Sequence, residues 1–302
     1  MGECNRLREV EEALLDEFPL AEEADVPAVR LAVEPAAPAA LPLGVAPGAD
    51  DWPELTPGKI QVLGPYATPG LVPRRVRLYL PTDFTPEIPR FTLFLFDGQN
   101  VFDDEPSYAG GWYAHEAAER LARAGKLAPI LVGIDHGGPE RIRELSPFPV
   151  QGTAGQLDLL LDWMLETLRP ALAKRLPLID GPAGSAVAGS SMGGLAAFYA
   201  HFRRPLELGG ALVMSPSFWI DDGAILDWIR DQPRPPFSRV YLDSGMREGR
   251  GTLLPLVARM AGHLASRGYG DLNLRFRTDP KGLHGEQSWR RRLPAALRFL
   301  YR

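Results

Sequence analysis

Ser191 stands in Gly189-Ser190-Ser191-Met192-Gly193, a serine with a glycine two positions away on either side. A hydroxyl so placed is suited to nucleophilic attack on a carbonyl. With 31 glycines and 11 serines in 302 residues, the pattern G-x-S-x-G arises by chance about 0.1 times, so the flanking sequence must carry the assignment. A nucleophilic serine of this kind sits on a sharp strand-to-helix turn, and the glycines keep the crossing segments from clashing. Residues 185 to 189 read as a short buried strand and 194 to 202 as a helix that ends near Pro205. That context favours a nucleophile over an idle serine in a tight turn.

A serine hydroxyl is a poor nucleophile at neutral pH. It needs a histidine base, and the histidine needs a carboxylate to fix its tautomer and stabilise the imidazolium. The chain has 5 histidines. His115, His201 and His263 fall within helical patterns, where a packed histidine is the ordinary outcome. His136 follows a strand but precedes the serine. His284 lies in DPKGLHGEQSW, a glycine-flanked loop between the last strand pattern and the last helix pattern, from which a base can reach back over a sheet. For the acid, VYLDSGMREGRG offers Asp243 and Glu248. Asp243 is short and still within the strand, whereas Glu248 follows the Gly245 turn beyond the strand end. Glu248 is favoured, with Asp243 the competing candidate and a solvated loop acid the plain alternative. The chain order Ser191, Glu248, His284 is that of an α/β-hydrolase arrangement.

A tetrahedral intermediate requires two backbone donors, one from the residue after the nucleophile and one from the loop after the third strand. Met192 supplies the first. Gln99, in LFDGQNVFDD, is the candidate for the second, with Gly98 allowing a sharp turn. The acids Asp97, Asp103 and Asp104 in that loop lack the spacing of a calcium loop; they read as solvated loop acids, and no metal is expected.

These residues need a scaffold that brings strand ends together. From Lys59 onward strand-like runs alternate with helical ones: RRVRLYLP (74 to 81), FTLFLFDG (91 to 98), APILVGID (128 to 135), SAVAG (185 to 189), GGALVMS (209 to 215), SRVYLDSG (238 to 245) and LNLRFRT (272 to 278). Helical patterns fall at about 113 to 125, 156 to 169, 194 to 204, 224 to 231, 252 to 267 and 286 to 301, with Pro170 kinking or ending the second. Such alternation builds a mostly parallel sheet covered on both faces, and ligands then gather at the carboxyl ends of the strands. Residues 1 to 58 read differently. A helix is expected over 7 to 18, followed by an Ala- and Pro-rich arm or linker, and the catalytic domain is expected over 59 to 302.

The composition, 45% hydrophobic and 24% charged, suits one large core. A net charge of -5 with interspersed signs offers no basic stripe for nucleic acid. The cluster Arg290 to Arg292 reads as a solvated helix face. The single cysteine, Cys4, allows no intramolecular disulfide and no thiolate-rich zinc site. The opening residues lack an apolar signal-peptide core, and no segment reaches transmembrane length. A cytoplasmic location and no membrane association are expected.

With these pieces assembled, the chain from about Lys59 to Arg302 resembles the esterase branch of the α/β-hydrolases that includes siderophore (enterochelin-type) esterases, feruloyl esterases, S-formylglutathione hydrolases and mycolyltransferases. LFLFDGQNVFD, ILVGIDHGGPERIREL, VAGSSMGGLAAFYA, VMSPSFW, YLDSGMREG and GLHGEQSW carry the resemblance, in that order. It implies Ser191 as nucleophile, Glu248 as acid, His284 as base, the Gln99 and Met192 amides as oxyanion hole, and Trp112, Phe218 and Trp219 as a pocket wall. The activity implied is cofactor-free hydrolysis of a small-molecule ester or thioester through an acyl-enzyme. Transfer of the acyl group to an alcohol and a hydrolase-fold binding protein without chemistry are the competing readings. Apart from the substrate, a second copy of the chain is the one partner the sequence leaves open.

Overall fold

The computed structural model describes residues 52–107 and 109–302; the helix expected over 7 to 18 and most of the Ala- and Pro-rich arm lie outside them. Eight strands form one sheet: β1 (Ile60–Thr68), β2 (Leu71–Tyr79), β3 (Thr92–Phe96), β4 (Ile130–Ile134), β5 (Ser185–Ser190), β6 (Gly210–Met214), β7 (Arg239–Gly245) and β8 (Leu274–Asp279). Their order is β1-β2-β4-β3-β5-β6-β7-β8. β1 pairs antiparallel with β2, and β2 with β4. From β4 to β8 every pairing is parallel, as expected when a helical segment returns the chain between strands.

The helices are α1 (Ala114–Arg123), α2 (Arg141–Glu144), α3 (Leu157–Asp162), α4 (Arg169–Ala173), α5 (Met192–Arg203), α6 (Ala224–Trp228), α7 (Leu253–Ser266) and α8 (Glu286–Leu300). Side chains alternate across the sheet and so feed two cores. Phe94, Phe96 and Val187 face one layer with Leu161, Trp163, Leu195, Phe198 and Val257. Leu93, Leu95 and Ala188 face the other, covered by Ala117 and Leu121 of α1 and Trp289, Leu293 and Leu297 of α8. The continuously buried β3, β4, β5 and β6 explain the uninterrupted apolar runs in the sequence.

The fold departs from the sequence expectations in three places. β1 carries no strand signal because Gly64 and Pro65 interrupt IQVLGPYAT; the register shift between Leu63 and Tyr66 absorbs them at the sheet edge. The chain does not stop at Pro170. A π-helical stretch, Trp163–Leu168, joins α3 to α4, and its wider turn accommodates a proline that lacks an N–H and would crowd the carbonyl four residues back. Packing also begins before residue 59. Trp52 is 6% exposed within the first core, and its carbonyl accepts a hydrogen bond from Arg175 Nη1 at 3.2 Å. No helix among the described residues is long and apolar enough to cross a membrane.

Candidate active site

Ser191 follows β5 directly and precedes α5, with φ 54° and ψ −122°. Glycine is obligatory at 189 because the strand and helix cross almost in contact: a Cβ there would lie 2.2 Å from the Gly193 carbonyl oxygen, whereas a Cβ on Gly193 would meet Asp97 Oδ2 at 3.1 Å. The elbow is tied to the neighbouring strand exit, where Ser191 N–H donates to the Met214 carbonyl at 3.1 Å and Ser217 N–H donates to the Ser191 carbonyl at 2.9 Å.

His284 enters from the loop between β8 and α8. Its Nε2 lies 2.9 Å from Ser191 Oγ, and its Nδ1 lies 3.1 Å from Glu248 Oε2. The ring meets Trp289 edge-on, with centroids 5.1 Å apart at 84°. Glu248 is 1% exposed. Its Oε1 accepts from Gly245 N–H at 2.8 Å and from Ser215 Oγ at 2.7 Å, leaving Oε2 for the histidine. Burial alone would raise the Glu248 carboxyl, but the bonds from His284 and Ser215 hold it below the usual range of a glutamate. Gly245 serves here through its small size: a Cβ there would lie 2.5 Å from the Gly282 carbonyl oxygen and 2.6 Å from Glu248 Oε1.

Asp243, the competing acid, stays inside β7 and is fully buried. It lies 2.9 Å from Arg292 Nε and accepts from Ser215 N–H at 3.2 Å, the backbone bond expected of a short acid within a strand. Burial pushes it up to about 7 against the pull of Arg292. Arg292 corrects the expected solvated face at Arg290 to Arg292: it is 7% exposed and approaches Asp243, Glu248 and Asp279. A helical signal for this exists, since position 292 follows Trp289 by three residues on the stripe that continues through Leu293 and Ala296.

On the other side of Ser191, the loop after β3 is held from several directions. Asp97, not Gly98, takes the left-handed turn, with φ 57° and ψ 49°. It is not the solvated loop acid expected from the sequence: Asp97 is 4% exposed, and its carboxylate accepts from Arg141 Nε at 2.6 Å and Nη2 at 2.8 Å. Burial would raise the Asp97 carboxyl, yet the Arg141 guanidinium holds it below the aspartate range. Gly98 is required for close approach, because a Cβ there would lie 2.6 Å from the Gly133 carbonyl carbon. Next in line, Gln99 Oε1 accepts from His136 N–H at 3.2 Å. Met192 opens α5, where a backbone N–H has no intrahelical partner by position.

A cleft of about 1000 Å³ opens over these groups, lined by Ser191, Met192, Ser217, Trp219, Leu253 and His284 among others. Of the three aromatic residues expected on its wall, only Trp219 is there. Trp112 is 2% exposed and packs on Trp289, centroids 6.0 Å apart. Phe218 is fully buried against Phe198 at 5.1 Å. Phe218 and Trp219 both lie in the turn beyond Met214, where Trp219 takes helical φ and ψ of −83° and −10°, so strand alternation does not say which of the two rings lines the cleft. His201 is a core histidine, bonded to the Leu208 carbonyl and Ser238 Oγ, and burial lowers it to about 4. Ser215, Ser217 and Arg141 carry no signal of their own; the motifs that contain them do not disclose their partners. Among the described residues no group of three or more His, Cys, Asp or Glu could hold a metal ion.

The resulting site holds a hydroxyl, an imidazole and a carboxylate in hydrogen-bonded series beside an amide-rich loop, an arrangement suited to acyl transfer. Comparison with known proteins identifies relatives among esterases. The profile of the family described as "Putative esterase" matches residues 72–300. The chain is similar to the iron(III) enterobactin esterase of Dickeya dadantii, 32% identical over 187 residues, which are 61% of this chain and 39% of that protein. It is also similar to the siderophore triacetylfusarinine C esterase of Aspergillus fumigatus, 30% identical over 139 residues, 44% of this chain and 46% of that one. The matches thus span less than half the length of these two relatives. Among solved structures, the enterochelin esterase of Shigella flexneri superimposes with a TM-score of 0.63 at 23% identity, covering 85% of this chain and 61% of that one, which shows a shared α/β-hydrolase fold. With a family profile spanning all but the first of its strands and its whole candidate site, the chain belongs to the "Putative esterase" family.

Proposed function

We propose that the protein is a serine carboxylesterase acting through an acyl-enzyme. The observation that carries this reading is the series Ser191 Oγ to His284 Nε2 at 2.9 Å and His284 Nδ1 to Glu248 Oε2 at 3.1 Å, built on the carboxyl ends of three different strands. His284 removes the Ser191 proton as Oγ attacks the ester carbonyl, and returns it to the departing alkoxide. Water, deprotonated by the same ring, then attacks the acyl carbon, and the ring returns that proton to Ser191 Oγ as its bond to the acyl group breaks and the acid leaves. Glu248 keeps the ring in the tautomer that presents Nε2 as the base and stabilises the imidazolium formed in each half-reaction. The amides of Met192 and Gln99 are the donors for the oxyanion, Met192 at the open amino end of α5 and Gln99 on the loop pinned by Asp97 and Gly98.

The two curated relatives just described are named for siderophore esters, so a siderophore ester heads the substrates to be tried, followed by aryl and p-nitrophenyl esters of graded acyl length. The cleft volume of about 1000 Å³ is ample for a multi-ring ester. The deciding experiment is labelling by a fluorophosphonate probe with the modified peptide identified by mass spectrometry. Modification of Ser191, lost in Ser191→Ala together with ester hydrolysis, is the expected result. Modification of Ser190 would displace the elbow by one residue, and turnover without any labelling would end the acyl-enzyme reading. Product analysis with added alcohols separates hydrolysis from acyl transfer.

A further inference from the structure

Ser215 and Ser217 lie on the exit of β6, separated by Pro216, and neither has a role in the triad itself. Ser215 is 1% exposed and holds a φ of 42°, a conformation a non-glycine residue keeps only when its surroundings dictate it. Its hydroxyl is saturated. Trp289 Nε1 donates to it at 3.0 Å and Arg292 Nη2 donates to it at 2.7 Å. An indole N–H and a guanidinium N–H are donors only. Both acceptor positions of Ser215 Oγ are therefore filled, and its one proton is directed to Glu248 Oε1 at 2.7 Å. With Gly245 N–H on the same oxygen, Oε1 is held in place and Oε2 is left facing His284.

Ser217 meets the opposite end of the same series. Its Oγ lies 3.3 Å from Ser191 Oγ, its N–H donates to the Ser191 carbonyl, and it is 2% exposed at the cleft. When Ser191 directs its own proton to His284 Nε2, the proton between the two hydroxyls comes from Ser217, which holds the nucleophile in the rotamer aimed at the base. Pro216 fixes the backbone between the two serines. The turn is also pressed against the elbow helix: a Cβ on Gly194 would lie 2.9 Å from the Met214 carbonyl oxygen and 3.1 Å from Pro216 Cα.

We infer that the Ser215-Pro216-Ser217 turn is a clamp on both ends of the triad, Ser215 as the positioning residue for Glu248 and Ser217 as the positioning contact on Ser191 Oγ. This inference rests on the serine-nucleophile reading above. It explains why one short turn combines a strained serine, a proline and a second serine within three residues. It also gives Arg292 and Trp289 a purpose beyond packing, since their donors dictate where the Ser215 proton points.

The test compares full-length wild type with Ser215→Gly and Ser217→Ala, measuring kcat and KM on one p-nitrophenyl ester, fluorophosphonate labelling rate, melting temperature, and the far-downfield proton resonance of the His284 Nδ1–H. Glycine tolerates a φ of 42°, so Ser215→Gly removes the hydroxyl while preserving the turn. The expected result for Ser215→Gly is a kcat lowered about 10- to 100-fold, the range for one bond to a charged group, at unchanged KM, with the downfield resonance lost or moved upfield. Ser217→Ala is expected to lower kcat and labelling rate about 3- to 10-fold, as for a neutral hydrogen bond, with the resonance retained. Should Ser215→Gly not fold, Ser215→Cys keeps a side chain of similar size but offers only a weak donor to Glu248, and the same resonance then decides: movement supports the clamp and constancy overturns it. Normal labelling of Ser191 together with wild-type kcat and resonance in both serine variants would overturn the clamp alone. Absence of labelling in the wild type would instead remove the serine-nucleophile reading on which the clamp depends.

Discussion

Glu248 and Asp243 stand five residues apart and meet different fates because of what surrounds their oxygens. One oxygen of Glu248 is occupied by Ser215 and Gly245 and the other faces His284, whereas Asp243 is turned toward Arg292 and a backbone amide. Loss of the acid frees the histidine to adopt the wrong tautomer, a change that in a well-studied triad costs about 10⁴ in turnover. Glu248→Gln is therefore expected to lower kcat by orders of magnitude with KM little altered, and Asp243→Asn to lower the melting temperature while retaining most activity. Steady-state kinetics on one ester with thermal melts decides this; a dead Asp243→Asn beside a normal Glu248→Gln would reverse the assignment. Glu248 also gives a pH signature. Its folded carboxyl titrates below the usual 4.5 of a glutamate, so its stabilising contribution is present above about pH 4.5 and is lost as pH falls through the folded value. The melting-temperature gap between wild type and Glu248→Gln should accordingly narrow from about pH 6 to about pH 3. A gap that widens in acid would contradict the depressed value.

At the scale of elements, the site depends on strand exits that approach one another more closely than side chains allow. β3 ends in a left-handed Asp97 gripped by Arg141 of α2, and Gly98 then passes over Gly133 of β4 with no room for a methyl group. Gly98→Ala should push this loop away from Gly133 and carry Gln99 with it. Loss of a single oxyanion donor costs about 10²- to 10³-fold in kcat, and that is the expected effect, accompanied by a lower melting temperature. Wild-type kcat in a folded Gly98→Ala would show that the loop does not supply the second donor. The contrast with Gly245, whose neighbours are the Gly282 carbonyl and the Glu248 carboxylate, is instructive. Both glycines look like flexible turn residues in the sequence, and both are required for contact distance.

For the whole molecule, Trp52 marks how early in the described residues the core begins. Its ring is buried in the core and its carbonyl is bonded to Arg175, so a chain beginning at residue 52 is expected to remain folded and active. A chain beginning at residue 59 should lose about 3–5 kcal/mol of stability, the cost of emptying a buried tryptophan site. Urea titration of the two truncations measures the difference. Equal stability would mean that the Trp52 segment contributes nothing, and inactivity of the chain that begins at residue 52 would give residues 1–51 a part in the site.

Periodicity in the sequence was enough to determine the alternating architecture and seven of the eight strands, because a sheet buried on both faces demands apolar runs of strand length between amphipathic helices. The elbow at Ser191 and the glycine-flanked His284 were legible for a related reason: a residue that must project from a tight turn leaves its constraint in the neighbouring residue types. β1 was not legible, since Gly64 and Pro65 read as a turn until a bulge at a sheet edge accommodates them. Nor were Phe218 and Trp112 separable from Trp219, because composition does not say which side of a strand exit a ring faces. The tertiary structure alone decided that Arg292 lies inside, that Ser215 backs the acid, and that Asp243 belongs to Arg292. Those relations join segments 28 to 77 residues apart, and a hydrogen bond between distant strand exits leaves no local periodicity from which it could be read.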